Sequence, residues 1–133
     1  MDAALGRVRF EWSILVARVT EDRSELVGPE LLWSETVSAL HALAWRGELE
    51  LEAAKDAVEL VETAPISVRH PRDLRRRAWS VADRMGWTRT YDAEYCALAE
   101  ILRCELVTTD GRLRAAGQRL GYVFTLTEMA ARL

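Results

Sequence analysis

A chain of 133 residues is long enough to bury one hydrophobic core without disulfides or a structural metal, so we expect a single domain over residues 1–133. Half of the residues are hydrophobic, 29% are charged, and the net charge of −3 argues against nucleic-acid binding through bulk positive charge. No segment approaches the roughly 18 apolar residues of a membrane span and no signal peptide is visible, so we expect a cytoplasmic protein with no membrane partner.

The basic side chains and the cysteines indicate which ligands the protein could bind. The chain has 17 Arg and one Lys, and because the guanidinium group binds phosphate through a planar fork, the position of each Arg matters more than the net charge. Cys96 and Cys104 match no zinc-binding spacing. We therefore expect both cysteines to lie reduced in the hydrophobic core.

The N-terminal third allows two interpretations. A helix is suggested by Ile14, Leu15 and Val19, whereas the wider alternation of apolar and polar residues suggests a strand. The pattern does not decide between them. Further on, Leu26 and Val27 predict a short strand, which Gly28 and Pro29 end. The alternating apolar residues are Val8, Phe10, Trp12, Ile14 and Val16.

Pro29 predicts the start of a helix, because a missing amide hydrogen costs nothing in the first turn, and Gly47 predicts its end. The neighbouring face carries Glu35 among small residues, so this carboxylate either faces solvent or points into a site. The predicted apolar face consists of Trp33, Thr36, Val37, Leu40 and Ala44.

Two more helices and a strand follow. Helical spacing begins at Leu51, a short strand is predicted over residues 65–68, and a further helix runs from Leu74 to Met85 and ends at Gly86. The last helix carries an arginine cluster that is either a solvated face or a contact surface for an anionic polymer. The cluster consists of Arg72, Arg75, Arg76, Arg77 and Arg84.

The segment over residues 90–113 predicts a helix, a turn and a buried strand, with an acidic residue at two special positions. Asp92 lies at the helix start, where the dipole favours a carboxylate, and Asp110 follows the strand over residues 106–109. Taken singly, these residues are an ordinary cap and an ordinary Asp-Gly turn. Together they occupy the places where an open α/β sheet builds its site. The core face of the helix is predicted to be Tyr95, Leu98, Ala99 and Leu102.

After this segment, a short helix ends at Gly121, a final strand spans residues 122–126, and Thr127 with Glu128 predicts a capped tail. Strands that alternate with helices indicate an α/β fold with a mainly parallel sheet. The sequence contains no hydrolytic triad and no glycine-rich phosphate loop. The candidates for chemistry are therefore the carboxylates.

Four segments, at residues 29–40, 46–49, 90–100 and 106–113, together resemble the PIN domain, and within that family the VapC-type toxins of bacterial toxin–antitoxin pairs. The resemblance covers roughly residues 25–126. It implies a three-layer α/β/α sandwich and a ribonuclease that depends on Mg²⁺ or Mn²⁺. It also implies a homodimer and a small VapB-type antitoxin as partner.

The resemblance further implies an acidic metal cluster at Glu35, Asp92 and Asp110, with Thr108 available to hold a carboxylate or a water. Family members begin with an apolar strand that leads into another aspartate, and here the candidate is Asp2, which follows Met1 alone. Either the true start lies upstream, or the first strand is short or missing. We also expect three arginines to bind RNA phosphates: Arg112, Arg75 and Arg76.

Two hypotheses of different classes therefore stay open. The first is an active metal-dependent endoribonuclease, in which Asp92 and Asp110 face the metal and Glu35 binds it directly or through water. The second is a degenerate, catalytically weak PIN-like domain that binds RNA or a protein. A structure-specific DNA nuclease is a third alternative.

Overall fold

The structure is a computed structural model that describes the backbone of residues 14–20, 23–108, 111–125, 127–128 and 131, and the side chains of these ranges from residue 26 onward. A short 3₁₀ turn, Gln118–Leu120, precedes the last strand. In chain order the elements are β1 (Ile14–Thr20), β2 (Arg23–Gly28), α1 (Leu31–Trp45), α2 (Leu51–Thr63), β3 (Ile66–Val68), α3 (Leu74–Met85), α4 (Tyr91–Leu102), β4 (Glu105–Thr108), α5 (Gly111–Ala116) and β5 (Val123–Thr125).

The described strands form one sheet in the order β3-β2-β1-β4-β5. β2 pairs with β3 in parallel and β4 pairs with β5 in parallel, whereas β1 is antiparallel to both of its neighbours, β2 and β4. Four of these five strands therefore share one direction. The predicted α/β class with a mainly parallel sheet is confirmed.

The central strand is β1. For the described part of the N-terminal third, the strand interpretation is therefore correct and the helix interpretation is wrong. Ile14 pairs with Thr108, and Val16 pairs with Val27, so the strand is hydrogen-bonded on both edges. A β-branched, apolar sequence suits such a central position. The strand that was expected to lead into Asp2 lies outside the described residues. Among the described strands, Ile14–Thr20 is the central one.

The main hydrophobic core is built around α4. This helix packs against α3 on one side and against β1 and β4 on another. Because both of these sides are covered, more residues of α4 are buried than the single predicted face contains. The prediction is only partly met at the end of the helix, where Leu102 is partly buried. Cys96 and Cys104 are both buried in this core as reduced thiols, as predicted. The α4 residues with 1% exposure or less are Ala93, Tyr95, Cys96, Ala97, Leu98 and Ala99.

The helices α1 and α2 form a hairpin with its own smaller core. Thr36 and Leu40 are buried as predicted, but the prediction for Val37 is wrong, since its side chain is 42% exposed. The buried face of α1 differs from the predicted one because the helix packs against two different partners. Leu32 joins the main core at one end of the helix, while Leu40 and Leu43 pack against α2 at the other.

Local signals at the helix ends agree with the structure in two places and differ in one. Gly47 and Gly86 follow α1 and α3 with φ of +74° and +72°, the left-handed conformation that glycine adopts without strain. At the C-terminal end, Glu128 accepts from the amide of Thr125, and Thr125 Oγ1 accepts from the amide of Glu128. The capping pair is therefore Thr125 with Glu128, not Thr127 with Glu128, because the turn begins earlier than predicted. Among the described helices, none combines the length and hydropathy that crossing a bilayer requires.

Candidate active site

An open cleft of about 660 Å³ lies where α4 begins and where the chain enters α5 after β4. Its location beyond the carboxyl end of β4 is where open α/β sheets place their sites. Glu35 and Asp92 form an acidic side of this cleft. Its rim carries aromatic and basic side chains from the segment before α4, from α4 itself and from α5: Trp87, Arg89, Tyr91 and Arg112.

Glu35 enters the cleft from the second turn of α1. Its neighbours Leu32 and Thr36 are buried, which turns the Glu35 side chain to the border between core and cleft, where it is half-buried. Burial raises the pKa of Glu35, the hydrogen bond from Tyr95 opposes that rise, and the charges of Asp92 and Glu94 raise it further. The sequence left two orientations open for Glu35, and the structure places this carboxylate in the cleft.

Tyr95 supports Glu35 from inside the core. The Tyr95 side chain is 1% exposed, and its hydroxyl donates a hydrogen bond of 2.5 Å to Glu35 Oε1. Burial, this hydrogen bond and the nearby carboxylates all raise the pKa of Tyr95, so the phenol stays neutral and remains a donor. The sequence predicted Tyr95 as a core residue only. Nothing local to either residue could have shown that the two meet.

Asp92 lies in the first turn of α4, which begins at Tyr91 after the cap residue Thr90. A carboxylate in this turn interacts favourably with the positive end of the helix dipole. The Asp92 side chain is half-buried, lines the cleft and acts electrostatically on Glu35. The structure thus brings together two of the predicted acidic residues, which approach from helices far apart in sequence.

Asp2 and Asp110 lie outside the described residues, so their predicted place beside Glu35 and Asp92 stays a prediction. Within the described side chains, no group of three or more His, Cys, Asp or Glu is arranged to hold a metal ion. The nearest described residues are Thr108 before Asp110 and Gly111 after it. Thr108 ends β4 with a fully buried side chain, and Arg112 lines the cleft.

The two predicted RNA-binding arginines of α3 lie away from the cleft. Arg75 lines a separate depression with His70 and Glu94, and Arg76 Nη2 donates to Asp73 Oδ1 at 2.6 Å on the surface. Of the three predicted arginines, the structure therefore places only Arg112 at the cleft with Glu35 and Asp92.

Sequence reasoning missed three rim residues: Trp87, Arg89 and Tyr91. Trp87 packs partly against the core and also lines the cleft. The Tyr91 side chain is 54% exposed. All three lie within five residues before Asp92, so proximity to a helix start that carries an acidic residue was the available signal.

Comparison with known proteins decides the family, since the PIN domain family matches residues 4–118. The chain belongs to the PIN domain family. Over 90 residues it is 36% identical to "VapC ribonuclease Mb0985" of Mycobacterium bovis, and equally to "Ribonuclease VapC9" of Mycobacterium tuberculosis. The alignment covers 68% of this chain and 68% of each relative. No solved structure gives a significant match.

The described donor set of this PIN domain fits a hard divalent cation. Carboxylate oxygens are the ligands that Mg²⁺ and Mn²⁺ prefer in proteins. Burial raises the pKa of Glu35 and the charge of Asp92 adds to that rise, so a bound cation would relieve charge that the pair concentrates in the cleft. Both carboxylates are also half-buried, so bulk water screens their negative charge only partly and a cation in the cleft would be attracted more strongly than at the open surface.

Proposed function

We propose that this PIN domain is a metal-dependent endoribonuclease of the toxin–antitoxin type. The observation that carries the proposal is the pair of half-buried carboxylates, Glu35 and Asp92, in one open cleft with an aromatic and basic rim. Two relatives at 36% identity are ribonucleases by name, which supports RNA as the substrate.

The residues that would hold Mg²⁺ or Mn²⁺ are Glu35, Asp92 and Asp110, with Asp2 as a further ligand. Asp110 is included because the chain on either side of it, at Thr108 and Arg112, reaches the carboxyl end of β4 and the cleft. When bound, a divalent cation supplies Lewis-acid activation of water and stabilises negative charge on a phosphate. Thr108 would support the neighbouring carboxylate from its buried position at the strand end.

The rim of the cleft is suited to hold single-stranded RNA. Arg89 and Arg112 are exposed guanidinium groups that can bind phosphates, and Trp87 and Tyr91 offer ring surface on which bases can stack. These contacts would orient the scissile phosphate toward Glu35 and Asp92. Arg75 and Arg76 on α3 would contact RNA that extends beyond the cleft.

The same family relationship supports the remaining parts of the proposal. The chain would act in the cytoplasm as a homodimer, and a small VapB-type protein would inhibit it. An acidic cleft with an arginine-bearing rim can be blocked by a protein segment as well as filled by RNA, because the same charges recognise both.

A second candidate function is a catalytically weak PIN-like domain that binds RNA or a protein. One observation favours it: the central strand of the sheet is Ile14–Thr20, and this segment contains no acidic residue. The strand at this place therefore contributes no carboxylate from within its own length to a metal site.

The experiment that separates the two functions is cleavage of a structured RNA with Mg²⁺ or Mn²⁺, compared with EDTA. We expect metal-dependent fragments from the natural protein and none from Asp92→Asn. The control is Asp56→Asn, an exposed carboxylate on α2, which should cleave normally. Binding of RNA without cleavage by the folded natural protein would support the binding module, and cleavage that survives in Asp92→Asn would refute the assigned site.

A further inference from the structure

Tyr95 is a fully buried residue whose polar atom is directed at the cleft rather than at the core. Its ring packs in the main core, and its hydroxyl donates to Glu35 Oε1 at 2.5 Å. The two residues are 60 positions apart and belong to α4 and α1. The contact therefore joins the interior of one helix to the acidic side chain of another.

The hydrogen bond fixes the Glu35 side chain in a way that matters for a metal ligand. A free glutamate loses rotamer entropy when it is immobilised, and a neighbour that already restricts it lowers the cost of binding. The bond engages Oε1 from the core side. Oε2 is then the oxygen that Glu35 can offer to a cation in the cleft.

We propose that Tyr95 is a positioning residue of the acidic cluster: its hydroxyl holds Glu35 in the orientation in which the carboxylate binds a divalent cation. The proposal rests on the proposed metal-dependent function. It assigns Tyr95 no contact with RNA or with the cation. Partners of this kind, behind the direct ligands of a metal, typically change affinity or activity by about 10- to 100-fold when they are removed.

The chain contains an internal control for the stabilising effect of such a bond. Tyr122 donates to Glu100 Oε2 at 2.6 Å, and Glu100 lies on α4 like Tyr95. This second Tyr–Glu pair is also partly buried, but it lies in a different depression, beside Arg84 and Arg119. If Tyr95 served only to stabilise the fold, removing the hydroxyl of Tyr95 or of Tyr122 would change Mn²⁺ binding and RNA cleavage to the same extent.

The test compares Tyr95→Phe with Tyr122→Phe. Mn²⁺ binding to the metal-free protein is measured by electron paramagnetic resonance, and RNA cleavage is measured as separate kcat and KM values. We expect Tyr95→Phe to weaken Mn²⁺ binding about 10-fold or more and to lower kcat with KM for RNA unchanged. Tyr122→Phe should bind Mn²⁺ and cleave RNA like the natural protein.

A double-mutant cycle keeps the proposal testable if Tyr95→Phe is destabilised. In the Glu35→Gln background, adding Tyr95→Phe should not weaken Mn²⁺ binding further, because Tyr95 acts only through Glu35. Additive effects would overturn the positioning role, as would natural Mn²⁺ affinity in Tyr95→Phe, while both leave the proposed nuclease intact. Failure of the natural protein to bind Mn²⁺ would overturn the proposed function together with this inference.

Discussion

Glu35, which accepts a hydrogen bond from Tyr95 of α4, and Glu100, which lies on α4 itself, have opposite electrostatic surroundings. Burial and neighbouring carboxylates raise the pKa of Glu35. Burial also acts on Glu100, but hydrogen bonds and charge from Tyr122, Arg84 and Arg77 prevail and lower its pKa. Glu100 therefore stabilises the fold as a paired anion, whereas Glu35 carries a charge that the fold alone leaves poorly compensated. Such uncompensated charge is a feature of functional sites.

The Glu100 cluster predicts a pH dependence of stability. Because its pKa is lower in the folded state, Glu100 contributes stability above its unfolded pKa of about 4.5, and that contribution is lost as the pH falls through the folded value. We expect Glu100→Gln to cost about 1 to 2 kcal/mol at pH 7 and progressively less as the pH falls below the unfolded pKa, as measured by urea unfolding.

Glu48→Gln is the control, because Glu48 pairs with Arg46 on the surface, where both side chains are about half exposed. Exposed ion pairs contribute little, so this variant should match the natural protein at every pH. A loss of stability in Glu100→Gln that stays the same from pH 7 into strong acid would show that the effect is packing and not charge.

At the scale of single residues, the sequence could predict which carboxylates were candidates but not how they are held. Asp92 was identifiable because a helix start is a local signal. The orientation of Glu35 was not, since it depends on Tyr95, which lies 60 positions away in the chain. For Asp2 and Asp110 the assignment stays a prediction from the family resemblance.

At the scale of helices and strands, local chemistry predicted the boundaries better than the faces. The helix from Leu74 to Met85 was predicted with its observed limits, because Gly86 adopts a φ of +72° directly after it. The buried face of α1 was misjudged at Val37 because it depends on two packing partners, α2 and the main core. Helix ends are encoded locally, whereas burial follows from contacts that one segment does not contain.

Gly86 allows the role of this helix end to be tested. A Cβ at Gly86 meets no atom within 4 Å, so the cost of Gly86→Ala comes from the left-handed backbone alone, about 1 to 2 kcal/mol. We expect thermal unfolding to shift downward by about 4 °C for each kcal/mol. The matched control is Gly111→Ala, which also has open space but no positive φ, and which should not lower Tm. Equal effects of the two substitutions would contradict a conformational cause.

At the scale of the whole molecule, the alternation of strands and helices was enough to predict a mainly parallel α/β sheet. It could not predict that the central strand runs antiparallel, since the pairing of Ile14 with Thr108 spans most of the chain. The net charge likewise describes the molecule but not its surfaces. A chain of net charge −3 still has Arg89 and Arg112 at the rim of its cleft.

This uneven charge predicts where RNA binds. Binding of a short single-stranded RNA to Asp92→Asn, measured in EDTA at increasing NaCl, should weaken with a slope set by the number of phosphates contacted. Arg112→Gln and Arg89→Gln, added singly to this background, should each reduce that slope by about 0.7, the value for one lost contact on a single strand. Arg46→Gln, at the far end of α1, should leave the slope unchanged.

Arg76→Gln distinguishes a site in the cleft from a site on α3. Because Arg76 already pairs with Asp73, its substitution should change the slope less than Arg112→Gln does. A larger effect of Arg76→Gln than of Arg112→Gln would place the RNA site on α3.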